Sequence, residues 1–407
     1  MPSITRRRIV GGGLAAVAGY GAYRLDRGGA DAAFDAWTPA PGTWPLRRYD
    51  PANTAHNPNA TPPRGSPSVR EVVATATDAR RPRFRPVVGP DHVALYGSGL
   101  AAYPHGGGSA VLTADAAAPL AGFGPGGRLH AVRHEPDAAD GPPAVVGYDG
   151  TDRHEAYRFP LGDDATGLTV GAGEAYVGTE GGTLHAIAPD GGRRWRVDGA
   201  LPALADGVLY VADTPLDGTV AYARRTGVDR LLAAGPERIW RTGSDPVRGF
   251  PYPPAVADGR VVQGARAAGG GAVVAFDAGS GDRLWGPRPL GTDVSTPAVV
   301  GDRGYVAAGT DGPVAGRVVA LDLATGETRW RDEVAHPAVA PAAGGDTLVV
   351  AGAVREDGER AGGWVRAYDR HAGDVLWRRR LGSEPGGLAL VGDRILVTAG
   401  GSLYELG

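Results

Sequence analysis

Two histidines four residues apart, His130 and His134, with Glu135 adjacent, are the first residues to ask for chemistry. On a strand they would face one side, as metal ligands do. They lack the helical His-Glu-x-x-His order, and no helix is expected around them, so the pair reads as structure. The glycine clusters Gly106 to Gly108 and Gly269 to Gly271 have no following helix whose N-terminus could hold a phosphate. No Gly-x-Ser-x-Gly elbow joins a strand to a helix. The chain has no cysteine, which excludes disulfides, thiolate metal sites, a cysteine nucleophile and a lipid-modified N-terminal cysteine.

The elements that would position any site are announced by tryptophan. Trp195, Trp240, Trp285, Trp330 and Trp377 recur every 45 to 47 residues, a period that fits four-stranded propeller blades. Each copy carries a turn before its tryptophan: Asp277 and Gly281 before Trp285, Asp322 and Gly326 before Trp330, Asp369 and Gly373 before Trp377. The aspartate can close the turn onto backbone N–H groups, and the glycine supplies a left-handed residue. Indole is large and flat enough to pack on a neighbouring blade while its N–H finds a carbonyl. The recurrence of Trp and Asp in every clear unit assigns them to packing and turns, not to catalysis. Asp-Gly and Gly-Asp pairs such as Asp206-Gly207 and Gly392-Asp393 mark tight hairpins between apolar strands.

The run from Ala320 to Trp330, with Asp322, Thr325, Gly326 and Glu327, resembles the pyrroloquinoline-quinone (PQQ)-like propeller repeat, as does the run from Ala275 to Trp285. The implied fold is all-β, an eight-bladed β-propeller of four-stranded antiparallel blades, with seven blades as the fallback. Clear units span about 168–200, 201–244, 252–291, 294–335 and 338–382. Degenerate ones precede them near 85–118 and 119–164, and Tyr157 stands at a tryptophan position in the second. The last unit, from Gly387, stops after three strands. Its fourth can come from Val69 to Thr75, which would close the ring and remove exposed edges.

Upstream of the propeller (69–407) the chain divides in two. Residues 1–27 hold Arg6-Arg7-Arg8, then Ile9-Val10 and a Gly/Ala-rich apolar run. They resemble a twin-arginine export signal, with Arg6 and Arg7 the recognised pair, whose passengers cross the membrane folded, or an N-terminal membrane anchor. Residues 28–68, rich in Ala, Pro, Asn and Thr, read as an extended linker. Net charge is only −3 and every fixed cation except the amino terminus is arginine. No basic stripe stands out, which argues against nucleic acid as a partner.

The resemblance offers two functions. One is a PQQ-dependent dehydrogenase, whose cofactor sits on the propeller axis against a tryptophan, beside a metal bound by Glu, Asn and Asp. The only asparagines here, Asn53, Asn57 and Asn59, fall in the linker, so that reading assigns no cofactor and no metal ligand. The other is an exported, non-catalytic scaffold, similar to the propeller of the outer-membrane β-barrel assembly machine. It implies a protein partner met through the loops, with long ones expected at Arg355 to Gly363 and Glu135 to Pro143.

Overall fold

A computed structural model describes residues 34–407 apart from 75–82, 106, 115, 135–141, 151, 214–217, 226–234, 244–248, 268, 312–314 and 357–358. Residues 1–27, expected to direct export or anchor the chain, and most of the Glu135 to Pro143 loop lie outside the described residues. The remainder forms eight antiparallel sheets in sequence order around an axis, an eight-bladed β-propeller. We number the blades 1 to 8, from residues 84–114 (blade 1) through 120–160, 165–198, 201–241, 255–291, 293–333 and 337–381 to 385–406 (blade 8). Each blade runs outward from an inner strand at the axis to an outer strand at the rim.

Blade 8 is completed as its sequence requires. Val69–Ala74 pairs antiparallel with Ser402–Leu406, Val69 opposite Leu406 and Arg70 opposite Glu405. The ring therefore closes by joining the two ends of the propeller in one sheet, which covers the edge of Ser402–Leu406.

The repeated turn does what its residues dictate. Asp277 Oδ1 accepts from the N–H groups of Gly279 and Ser280 at 3.0 and 2.8 Å. Asp322 repeats this with Ala324 and Thr325, and Asp369 with His371 and Ala372. Hydrogen bonds to the charged form hold all three carboxyls below the usual aspartate range. For Asp369, the bond from Arg64 contributes most.

The indoles staple each blade to the next. Trp240 Nε1 donates to Ala278 O at 3.0 Å, Trp285 Nε1 to Leu323 O at 2.7 Å, and Trp330 Nε1 to Arg370 O at 3.0 Å. Trp377 donates instead to Pro63 O, upstream of the propeller, at 2.7 Å. Trp195 packs edge-on against Phe34, with ring centroids 5.7 Å apart. The turn glycine of the following blade lies on each ring. A Cβ on Gly281 would stand 2.7 Å from Trp240, on Gly326 2.6 Å from Trp285, and on Gly373 2.7 Å from Trp330. A Cβ on Gly191 would stand 2.7 Å from Tyr157, so Tyr157 fills the tryptophan position of blade 2. The glycine thus meets two demands, a positive φ and close approach to an aromatic face.

Residues 34–68 differ from the expected extended linker. Trp44, Leu46, Tyr49, Ala55, Asn57 and Ala60 are buried. This stretch belongs to the propeller, so the domain begins upstream of residue 69. Its Pro, Asn and Thr content suits a chain without regular structure, but residues 44–61 are bonded to the inner strands, while Phe34 and Pro63 meet the seam indoles Trp195 and Trp377.

Candidate functional site

The inner strand of every blade is an edge strand. Its outward backbone groups face the axis and must find partners. In blades 4 to 7 these strands contain one recurring pattern, Pro202-Ala-Leu204, Pro254-Ala-Val256, Pro297-Ala-Val299 and Pro341-Ala-Ala343. Proline has no N–H to strand at the axis, so it suits an edge position. In a strand, the carbonyl of residue i and the N–H of residue i+2 leave by the same edge. Each Pro-Ala-x unit therefore presents one acceptor and one donor to the channel.

Residues 44–61 form a collar that meets these groups in blade order. Trp44 exchanges two backbone bonds with Val88 of blade 1, at 2.8 and 2.7 Å, and Pro45 O accepts from Phe123 N of blade 2. Thr169 Oγ1 of blade 3 donates to Pro51 O. Leu204, Val256, Val299 and Ala343, of blades 4 to 7, donate to the carbonyls of Pro51, Ala52, Thr54 and Ala55 at 2.7 to 2.9 Å. His56–Asn57 then lies parallel to Ala343 and Gly344. Thr61 N reaches Gly392 O of blade 8 at 2.7 Å. One short segment thus bonds to all eight blades.

Side chains of the collar take the proline carbonyls. Asn53 Nδ2 donates to Pro202 O and Pro254 O, both at 3.0 Å, spanning blades 4 and 5. Arg48 donates to Pro341 O, Thr296 O and Pro297 O at 2.9, 3.1 and 2.8 Å, spanning blades 6 and 7. Asn57 Nδ2 reaches Leu390 O at 2.8 Å. Asp50 ties the tight turn by accepting from Thr54 N and Thr54 Oγ1. Burial pushes the Asp50 carboxyl up to about 6, against those bonds and the Arg48 charge. Burial and the neighbouring Arg47 charge lower the Arg48 guanidinium. Tyr49, Asn53 and Ala55 have φ of 75°, 58° and 50°, a left-handed backbone that non-glycine residues hold only when their surroundings impose it.

Beyond the collar the channel narrows to a cavity of about 80 Å³, lined among others by Trp44, Arg47, Arg48, Arg85 and Tyr96. The residues fit neither a divalent cation nor a quinone. Three guanidiniums repel a cation, and no carboxylate lines the cavity. Cofactor pockets run to about 300–1,000 Å³. Asn53 and Asn57 already donate to backbone carbonyls, and the backbone N–H of Asn59 donates to Asn57 Oδ1. Among the described residues no group of three His, Cys, Asp or Glu could hold a metal ion.

A second cleft, of about 300 Å³, lies between blades 2 and 3 and is lined by Arg128, His130, Asp149 and Glu174 among others. Arg128 grips Asp149 through two nitrogens, at 2.5 and 2.6 Å. His130 Nδ1 lies 2.7 Å from Tyr157 Oη, and burial holds its pKa down to about 3. His134 sits 3.8 Å from Asp164, so the two histidines serve different partners. Burial pushes Glu174 up to about 7, although Tyr176 donates to it at 3.2 Å and Arg194 lies 3.5 Å away. A carboxyl raised on folding stabilises below its unfolded pKa, and that contribution is lost as pH rises through about 7. Glu174→Gln should therefore be about 1–3 kcal/mol more stable than the parent at pH 8, with the advantage gone near pH 4.5. Urea midpoints at the two pH values check this; a pH-independent difference would contradict it.

The residues singled out from sequence do not converge on these sites. Trp195, Trp240, Trp285, Trp330 and Trp377, with Asp277, Asp322, Asp369, Gly281, Gly326 and Gly373, form the seam between blades. Arg6 and Arg7 lie outside the described residues. The Arg355 to Gly363 loop is the tip of a long hairpin, Thr347–Glu356 with Glu359–Asp369. Sequence reading missed the collar, whose signals were the repeated Pro-Ala units and the cluster Trp44, Leu46, Arg47, Arg48 and Tyr49.

Eight blades stapled by a Trp-Gly seam define a PQQ-like β-propeller. The chain belongs to the family described as outer membrane protein assembly factor BamB, whose profile matches residues 138–338 and 224–387. The crystal structure of BamB from Moraxella catarrhalis superposes with a TM-score of 0.59 at 17% identity, covering 83% of this chain and 97% of that one. A europium-containing methanol dehydrogenase superposes with a TM-score of 0.65 at 12% identity, covering 88% and 90%. A quinohemoprotein alcohol dehydrogenase, ADH IIB of Pseudomonas putida, is 31% identical over 156 residues, 34% of this chain. The chain spans only 21% of that relative's length. Among the described residues no helix is long and apolar enough to cross a membrane.

Proposed function

We propose that this chain is an exported, non-catalytic propeller that binds a protein partner through its loops, outside the cytoplasmic membrane. The observation that carries the reading is the occupied axis. The place where a quinone would lie is taken by the chain's own collar, and the space left is small and lined by arginine. Membership of a family described by its part in outer membrane protein assembly supports the same role. Export rests on the arginine pair at Arg6 and Arg7 ahead of an apolar run.

The partner surface we assign is the blade 7 hairpin. Its strands have 10 and 11 residues, against five or six in most blades. Its tip carries Arg355, Glu356, Glu359 and Arg360, and Arg360 pairs with Glu384 at 2.8 Å. Mixed charge on a projecting hairpin favours a polar, selective contact.

A photocrosslinker at Glu356 in living cells, followed by fractionation, tests this. The expected result is one discrete adduct outside the cytoplasm, absent when the crosslinker stands at Asp258 in a short turn of blade 5. No adduct, or an adduct confined to the cytoplasm, counts against it. Dye-linked alcohol oxidation by purified protein given PQQ and Ca²⁺ would overturn the non-catalytic reading.

A further inference from the structure

The axial cavity makes an offer that the scaffold role does not use. Its polar side chains are all donors: the guanidiniums of Arg47, Arg48 and Arg85, the phenol of Tyr96 and the indole N–H of Trp44. Tyr96 and Trp44 are 0% and 1% exposed, and neither Tyr96 Oη nor Trp44 Nε1 has a hydrogen-bond partner. Arg48 Nε is also unpaired. Buried polar atoms without partners are uncommon, and several around one cavity call for a missing ligand.

The charges agree. No carboxylate lines the cavity, and Arg47 and Arg85 make no ion pair among the described residues. Arg47 is solvent-exposed and lines the cavity among surrounding protein. That enclosure, with the Arg85 charge beside it, lowers its pKa. Like charges are gathered here at a cost that an anion would remove.

We propose that the axial cavity binds a small oxyanion, a phosphate or a carboxylate. Guanidinium forks match both groups in two-point contact, the Tyr96 O–H and Trp44 N–H add neutral donors, and no carboxylate competes. A volume of about 80 Å³ is several times the minimum of about 10–15 Å³ that holds one water. It admits one such group and excludes a multi-ring ligand. The collar builds the site, since Trp44, Arg47 and Arg48 come from it, while Arg85 and Tyr96 come from blade 1. This proposal stands apart from the scaffold reading and does not depend on it.

The test uses the full chain in buffer of low ionic strength. Sodium phosphate and sodium acetate are titrated separately by calorimetry and by thermal unfolding, with sodium chloride at matched ionic strength as baseline. The expected result is saturable binding with a Kd of about 1 mM or below, weakened about tenfold or more by Arg47→Gln or Arg85→Gln. Tyr96→Phe weakens it about threefold, and Arg83→Gln, outside the cavity, leaves it unchanged. Tighter binding of phosphate assigns a phosphoryl group, and tighter binding of acetate assigns a carboxylate. Arg85→Gln should match or exceed the parent in Tm without anion and fall below it at saturation. No saturable effect beyond chloride, or parallel Tm curves for parent and Arg85→Gln across the titration, overturns the proposal.

Discussion

Arg48→Ala should destabilise the protein by about 3–5 kcal/mol, the range seen when one partner of a buried charged network is removed. The substitution leaves the carbonyls of Pro341, Thr296 and Pro297 without their donor. It also leaves Asp50, a buried carboxyl, without the positive charge beside it. Asn53→Ala should cost less, about 2–3 kcal/mol, because it orphans two carbonyls and removes no charge. The two effects should fall short of additive in the double variant, since both side chains hold one collar and its release is shared. Urea unfolding measures the energies. Hydrogen exchange locates them: the amides of Leu204, Val256, Val299 and Ala343, which donate to the collar, should lose protection before the outer strands do. An Arg48→Ala cost under about 1 kcal/mol would mean that the collar merely rests in the channel.

Trp285→Ala should cost about 3–5 kcal/mol, from a cavity at the seam and an unpaired Leu323 carbonyl. Gly326→Ala should cost about 2–4 kcal/mol for a different reason. Its φ is 71°, and the new methyl would stand 2.6 Å from the Trp285 ring. The combination separates the two causes. Once the indole is gone, the methyl meets only the end of the flexible Arg288 side chain, at 3.1 Å, and chiefly the backbone cost remains. The double variant should then cost about 1–2 kcal/mol less than the sum of the singles. Strict additivity in urea unfolding would refute the claim that ring contact, rather than turn geometry alone, demands glycine there.

The seam was legible in the sequence because it is made of side chains at a fixed spacing. Five indoles, three aspartates and three glycines carry their geometry in their identities, and even the Tyr157 replacement kept its place. Blade closure was legible too, since a three-stranded final unit needs a fourth strand and Val69–Ala74 has strand composition. The collar was not. Its bonds to the blades run through the carbonyls of Pro45, Pro51, Ala52, Thr54 and Ala55, and a backbone carbonyl leaves no mark on residue type. Its composition matched that of a solvated tether, and only packing distinguishes the two. The cavity was hidden for a related reason. Arg47, Arg85 and Tyr96 come from three segments of chain, and nothing in their spacing shows that a ring of blades will turn them toward one point.

The collar and the closing strand give the fold a strict order of events. Val69–Ala74 has no partner until Ser402–Leu406 exists, and the collar has no complete ring to thread until blade 8 stands beside blade 1. Ser68, lying between them in sequence, bonds to Gly407. During synthesis the strand Val69–Ala74 is therefore made early and paired last. The ring therefore stays open between blades 8 and 1 until the strands of blade 8 are made, and its two flanks are held together only by the last pairing to form.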